Sequence, residues 1–346
     1  MLQKLCSVTI ATCAFFVSMY CNAEYPLFED QTTFDVIIEM PMKTIVKDAE
    51  DRPEVPGVLR YTDAGSEVAL DFTMSTRGHS RLEYCWFPPL SLNLKKKQVE
   101  GTLFEGQNKL KIVTQCRSGK TFKRYLFQEF GIYRGFNVLT DNSIRARQLS
   151  VTFRDSEGKR DDDVQPAFFL ESDDEVAERL SMEPVKSSIV NPSQLDSKHA
   201  SILTLYQYLI ANTDWSVIKG AAGEPCCHNG KVVITPGTTT GWIVLPYDFD
   251  QAGLIHTRYA TPADGLGIRS VRQRLFRGRC LNLKHLDESI AKFNDFRPQI
   301  EEALNPPEID KRSRKRALKY IDDFYEIVND PKKREKKIED NCLGKS

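Results

Sequence analysis

The sequence predicts an α+β protein with two lobes, because strand-like runs fill its first half and amphipathic helical patterns dominate its second half. Apolar and polar residues alternate from Thr33–Glu39 to Pro166–Glu171. Helical spacing then prevails, as in Ser197–Ile210. Three segments are expected after an N-terminal signal: a strand-rich lobe over 24–172, a helix-rich lobe over 173–330, and a charged helix or tail over 331–346.

The strand-rich half contains a clear hairpin signal. The alternating runs Gly57–Tyr61 and Glu67–Met74 flank Asp63-Ala-Gly65, a turn-forming sequence. Further strands are predicted at Pro89–Leu94, Leu110–Gln115 and Ile144–Phe153, with a helix over Phe122–Phe130.

The second half is predicted to be mainly helical, with one apolar strand pair. Asp173 and Asp174 suit the positive end of a helix that runs to Leu180. Lys231–Ile234 and Gly241–Asp250 read as strands. Helices are predicted over Leu283–Leu304 and Asp310–Val328, separated by Pro306-Pro307.

The N-terminus predicts export. A short positive start is followed by the apolar run Val8–Met19, and a small residue, Ala23, ends the segment. This pattern is typical of a secretory signal peptide over 1–23, which places the mature protein in the periplasm or outside the cell. A lipoprotein signal or an uncleaved anchor are the alternatives. No later segment is apolar enough to span a bilayer.

Cysteine usage agrees with export. Of nine cysteines, six lie beyond the signal, and an even number in an exported chain suggests disulfides. We expect Cys85 to pair with Cys116, and we expect Cys226 and Cys227 to have different partners because a bond between adjacent cysteines is strained. A zinc site is disfavoured, since the chain has no Cys-x-x-Cys. The formal net charge of zero gives no indication of nucleic-acid binding.

Two carboxylates at the end of one apolar strand are the main functional signal. Asp248 and Asp250 follow this strand one residue apart, so strand alternation would place them on one face. Carboxylates of this kind commonly bind a hard cation such as Mg²⁺. Asp214 and Asn229 lie upstream, and the order Asp, Asn, strand Asp is the order of catalytic and magnesium-binding residues in protein kinases. The plain alternatives are a helix cap at Asp214 and turns at the others.

These motifs, together with Thr76-Arg-Gly-His-Ser-Arg81 and Phe168-Phe-Leu-Glu171, resemble those of the spore-coat CotH kinase family. That family has an Arg-Gly-Asn-Ser stretch, an Asn-Trp-Asp stretch, an Asn before a strand, and a Pro-Tyr/Trp-Asp-x-Asp strand. The resemblance extends from about Thr76 to Asp250. It implies a secreted, two-lobed atypical protein-kinase-like fold that transfers a phosphoryl group from ATP to a hydroxyl acceptor on a protein or small molecule.

The resemblance also implies residue roles. Asp214 would be the catalytic carboxylate, and Asn229 and Asp248 would hold Mg²⁺ or Mn²⁺ on the ATP phosphates. Asp250 would be an indirect or second-metal ligand. Arg77 would contact phosphate or order the loop that contains it.

One departure from the family pattern leaves catalysis open. The family has a Lys-Lys pair after the Arg-Gly-Asn-Ser stretch, where this chain has Phe87-Pro88-Pro89. Lys95 or Lys111 could replace that pair, although Lys111 could equally lie on a strand's outer face. The alternatives to a kinase are a pseudokinase that acts as a binding or structural module at the cell envelope, and a metal-dependent phosphoesterase that uses Asp248 and Asp250.

Overall fold

We describe a computed structural model over residues 25–220 and 225–344. The predicted signal peptide lies outside these residues. Seven strands form the first sheet: β1 (Phe34–Met40), β2 (Val55–Asp63), β3 (Ser66–Thr76), β4 (Leu90–Leu94), β5 (Lys109–Thr114), β6 (Ala146–Asp155) and β7 (Asp163–Leu170). Three strands form the second: β8 (Glu183–Pro184), β9 (Gly230–Ile234) and β10 (Ile243–Pro246).

Ten α-helices accompany the strands in the described ranges. Two are long, α4 (Lys120–Leu139) and α9 (Lys311–Asn329), and the others are α1 (Met42–Lys47), α2 (Ser80–Tyr84), α3 (Lys96–Val99), α5 (Asp173–Arg179), α6 (Ser197–Leu209), α7 (Leu286–Asp295), α8 (Arg297–Leu304) and α10 (Pro331–Lys337). None of the helices in the described ranges has the length and apolarity to cross a membrane.

The first sheet is a closed barrel, so the prediction of a two-lobed kinase-like fold was wrong. The strand order is β1-β2-β3-β4-β5-β7-β6, and β6 returns to pair with β1 in parallel over Phe34–Met40. The other pairings in this sheet are antiparallel. Side-chain alternation predicts each strand but not its distant partner, and the β1–β6 pairing is what closes the sheet.

Local signals place most elements close to where the sequence predicts them. The β2–β3 hairpin turns at Ala64 and Gly65, both with positive φ (46° and 84°), the conformation of a tight two-residue hairpin loop. The helix predicted over Phe122–Phe130 continues to Leu139, and the helix predicted over Leu283–Leu304 is divided into α7 and α8.

The molecule has two apolar cores, and β7 contributes to both. Phe169 points into the barrel, whereas Phe168 and Leu170 point outward against the helices. This follows from the alternation of side chains along a strand. The outer face of β5–β7 therefore packs against α4 and later helices, and a small charged cleft lies along this face. The division of the chain into a strand-rich segment 24–172 and a helix-rich segment 173–330 stays a prediction.

Three disulfides join the six described cysteines. Cys85–Cys116 confirms the predicted pair, at a sulfur–sulfur distance of 2.06 Å. The expectation that Cys226 and Cys227 have different partners was wrong, since they are bonded to each other. The peptide bond between them is cis. Cys280 and Cys342 form the third bridge. Disulfides of this kind are compatible with an exported protein.

Candidate functional site: a charged cleft beside the barrel

The cleft begins at the end of β3, where the chain leaves the barrel. Arg77 is held there because its backbone N–H bonds the Pro89 carbonyl at 3.0 Å and its Nε bonds the Leu90 carbonyl at 3.1 Å. Gly78 follows with φ of 86°, which favours glycine. This turn starts the short helix α2 and directs both Arg77 and Arg81 into the cleft.

Arg81 is the centre of the charge network. Its side chain is 11 % exposed and contacts three carboxylates. Nη2 lies 2.7 Å from Glu129 and 3.6 Å from Asp248, and Nε lies 2.8 Å from Asp250. Desolvation opposes the charged guanidinium, but Asp250 and Glu129 outweigh it and raise the pKa of Arg81 well above its usual range.

Glu129 is the partner of Arg81 on α4. It lies between Tyr125 and Tyr133 on the buried face of this helix and is 4 % exposed. Burial is the largest cause that raises its pKa to about 7, and the Asp250 and Asp248 carboxylates add to it, against the opposing effect of Arg81. Sequence reasoning missed both Arg81 and Glu129 as functional candidates. For Glu129, the available sequence signal was a single acidic residue at helical spacing on an otherwise apolar helix face.

Asp248 and Asp250 have different environments, although one residue separates them. Strand β10 ends at Pro246, and Asp248 has φ of 59°, so strand alternation does not apply to the pair. The Asp248 side chain is 45 % exposed in the cleft, whereas that of Asp250 is 8 % exposed beneath Arg81. The Asp248 backbone N–H donates to the Tyr133 hydroxyl at 2.9 Å, which fixes this turn on α4.

The pKa of Asp248 is raised to about 6 by burial of the cleft and by the neighbouring Asp250 carboxylate, partly offset by Arg81 and Arg77. Asp214 contributes a further raising effect. Negative charge thus accumulates at the open end of the cleft, and a bound cation would relieve it.

Lys111 supplies positive charge on the barrel side of the cleft. It lies on the outer face of β5, as the plain interpretation of its alternation suggested, but Asp173 and Tyr247 pack against it there. Its Nζ lies 3.4 Å from Asp173 and 5.4 Å from the centre of the Tyr247 ring. Desolvation is the largest cause that lowers its pKa. Lys231, which the sequence did not single out, lies 5.6 Å from the same ring.

Asp214 lies outside the lining of the cleft, in a hydrogen-bonded turn. Its Oδ1 is 2.7 Å from His228 Nε2, and its Oδ2 accepts from Asn229 Nδ2 at 3.0 Å. Asn229 also bonds the Asp214 carbonyl at 2.7 Å. The Tyr247 backbone N–H donates to the Asn229 carbonyl at 3.2 Å, which links this turn to the Asp248 segment.

The structure therefore brings the predicted residues into two adjacent groups. Arg77, Lys111 and Asp248 line one cavity of about 30 Å³, room for only one or two water molecules. Asp214 and Asn229 form the second group outside its lining and connect to the first through Tyr247. Asp250 is buried under Arg81, and its role as a metal ligand stays a prediction.

The donor set fits magnesium when a nucleotide supplies the remaining ligands. In the described part of the chain, no three His, Cys, Asp or Glu side chains form a metal-binding group. Magnesium commonly uses one or two carboxylates together with substrate phosphates. The open Asp248 carboxylate and the Asn229 amide suit that arrangement, and they do not form a metal site built from protein ligands alone.

No family model and no curated protein matches this chain. The resemblance to the CotH family therefore stays a prediction, and the functional argument below rests on the site.

Proposed function

We propose that this protein transfers a phosphoryl group from a magnesium nucleotide, ATP in the simplest case, to a hydroxyl acceptor. The observation that carries the proposal is the cleft in which Arg77 and Lys111 face Asp248, with Asp214 held next to it by His228 and Asn229. Cations on one side and carboxylates on the other suit a phosphate chain and its metal. The disulfides favour action outside the cytoplasm.

In this mechanism Asp214 orients the acceptor. Its two hydrogen bonds fix the plane of the carboxylate and leave lone pairs that accept the hydroxyl proton. As the acceptor oxygen bonds to the γ-phosphorus, the bond from that phosphorus to the bridging oxygen breaks, and the nucleoside diphosphate leaves. Arg77 and Lys111 stabilise the negative charge on the phosphates. Magnesium held by Asp248 and Asn229 would supply further charge neutralisation.

Nucleotide binding requires the cleft to open. A ligand pocket typically measures about 300–1,000 Å³, far more than the cavity of about 30 Å³. The contact between Lys111 and Asp173, at 3.4 Å, is the simplest one to exchange for a phosphate contact. The proposal thus includes movement of the Lys111 side chain from Asp173 to the nucleotide.

A binding module without catalysis is the second candidate. The observation that favours it is that two cations of the cleft already pair with carboxylates of the protein. Arg81 pairs with Glu129 and Asp250, and Lys111 pairs with Asp173. A cleft that is closed and internally paired needs no nucleotide for its stability.

Thermal melting with ATP, with and without Mg²⁺, separates these candidates. At about a hundred times its dissociation constant a ligand adds roughly 2.7 kcal/mol of stability. We expect a magnesium-dependent rise in Tm that Asp248→Asn abolishes and that the exposed control Asp161→Asn retains. Nucleoside diphosphate release then tests transfer. No shift with any nucleotide would refute the nucleotide site and favour the binding module.

A further inference from the structure

A second cavity, which the proposed function does not use, lies between α4 and α9. It measures about 360 Å³, within the usual range of ligand pockets. Its floor is buried and consists of Gln128, Leu254, Ile255, Ser313, Ala317 and Tyr320. Arg124, His256, Arg272 and Arg316 complete the lining, and no acidic side chain of the described chain is part of it.

Helix geometry brings these arginines together. α9 turns one face to the cavity, because Arg316 and Ala317 follow Ser313 by three and four residues and Tyr320 follows them by four and three. Arg124 lies one turn before Gln128 on α4 and extends across from the other side. The cationic heads therefore converge from separate elements over a common buried floor.

The arginine heads have little local neutralisation. Across the described ranges, Arg124, Arg272 and Arg316 form no ion pair within 4.0 Å. Arg124 and Arg272 also lower the pKa of His256, after desolvation as the larger cause. Asp310 exerts a coulombic effect on Arg124, but it caps α9 by accepting the Ser313 N–H at 3.0 Å and does not line the cavity.

Each guanidinium also keeps unused donors. Arg124 Nη1 donates to Gln128 at 2.6 Å and to the Ile255 carbonyl at 3.1 Å, and the Tyr125 side chain is a further partner of this guanidinium. Arg316 uses Nη2, to Ser313 at 3.0 Å, and Arg272 uses Nη1, to the Gly253 carbonyl at 3.5 Å. Since a guanidinium has five N–H donors, each head retains several for a ligand.

We propose that this cavity is a binding site for a small phosphate-type anion, formed by the guanidinium groups of Arg124, Arg272 and Arg316. Planar guanidinium groups bind phosphate oxygens in pairs of hydrogen bonds, and three of them around one cavity suit a multiply charged anion. The volume admits a diphosphate or a small phosphate monoester. The proposal is independent of phosphoryl transfer in the cleft, which has its own cations.

The test is calorimetric titration of the oxidised protein with pyrophosphate and, separately, with glycerol phosphate, at about 0.15 M salt, where charges beyond roughly 8 Å are screened. We expect measurable binding, and tighter binding of one ligand identifies inorganic or organic phosphate as the source. Arg316→Gln and Arg272→Gln, at the exposed rim, should each weaken binding about tenfold.

Two further variants locate the binding. Arg312→Gln removes an exposed charge from the same helix outside the cavity and should leave the affinity unchanged within about twofold. Lys111→Met removes a cation of the cleft and should also leave it unchanged. Failure of both pyrophosphate and glycerol phosphate to bind would overturn the proposal. So would equal losses in Arg312→Gln and Arg316→Gln, or loss of binding in Lys111→Met alone, which would assign the anion to the cleft.

Discussion

Replacement of Arg81 by methionine tests how much one buried guanidinium contributes to the stability of the folded protein. Arg81 lies between Glu129 and Asp250, whose side chains are 6 % and 8 % exposed. Removing it leaves two buried carboxylates without their cation and close to the charge of Asp248. Removal of one partner from a buried ion pair typically costs about 3–5 kcal/mol.

This cost corresponds to a measurable change in Tm. With an unfolding entropy of about 2.1 cal/mol/K per residue and a chain of 346 residues, we expect Arg81→Met to lower Tm by about 4–7 °C. The assay is thermal unfolding followed by circular dichroism at pH 8, where Glu129 is ionised because its pKa is about 7. At pH 5 the loss should be smaller, since a protonated Glu129 needs no cation.

Matched variants separate a buried pair from ordinary loss of charge. Arg60 pairs at the surface with Glu67 at 3.2 Å, and its side chain is 32 % exposed. Arg60→Met should therefore lower Tm by less than about 1.5 °C, because exposed pairs contribute about 0–1 kcal/mol. Adding Glu129→Gln to Arg81→Met should restore part of the stability. Equal losses for Arg81→Met and Arg60→Met at pH 8 would refute the central role of Arg81.

Three further predictions concern the cleft and the C-terminus. Glu129→Gln should gain stability relative to wild type as pH rises from about 4.5 to 7. Burial raises the pKa of Glu129 to about 7 in the folded state, so over this range the unfolded wild type releases the Glu129 proton while the folded wild type retains it, and the wild type loses stability. A constant difference in Tm between the two proteins across that range would contradict this. Asp214→Asn should keep magnesium-dependent nucleotide binding but lose transfer, and a fully active variant would remove Asp214 as the proton acceptor. Replacing Cys280 and Cys342 by serine should cost about 2–5 kcal/mol in unfolding titrations, and an unchanged midpoint would show that this bridge contributes no stability.

The sequence by itself determined the local elements. Alternation predicted the strands from Phe34 onward, and Asp63-Ala-Gly65 marked a hairpin because glycine adopts positive φ without a large steric cost. The Cys85–Cys116 bridge was also predicted, since each cysteine ends or starts a strand-like run of the sequence. These signals depend on a few neighbouring residues, so a single sequence is enough to predict the elements.

Tertiary structure decided how distant elements meet. The parallel pairing of β1 with β6 closes the barrel, and Arg81 contacts Glu129 and Asp250 across 48 and 169 residues of chain. Alternation specifies which face of a strand is apolar but not which strand lies beside it. Similarly, the sequence around a buried acidic residue does not indicate which cationic residue pairs with it. Those partners are selected by the packing of the whole chain, because burying a charge is tolerated only where an opposite charge arrives from elsewhere.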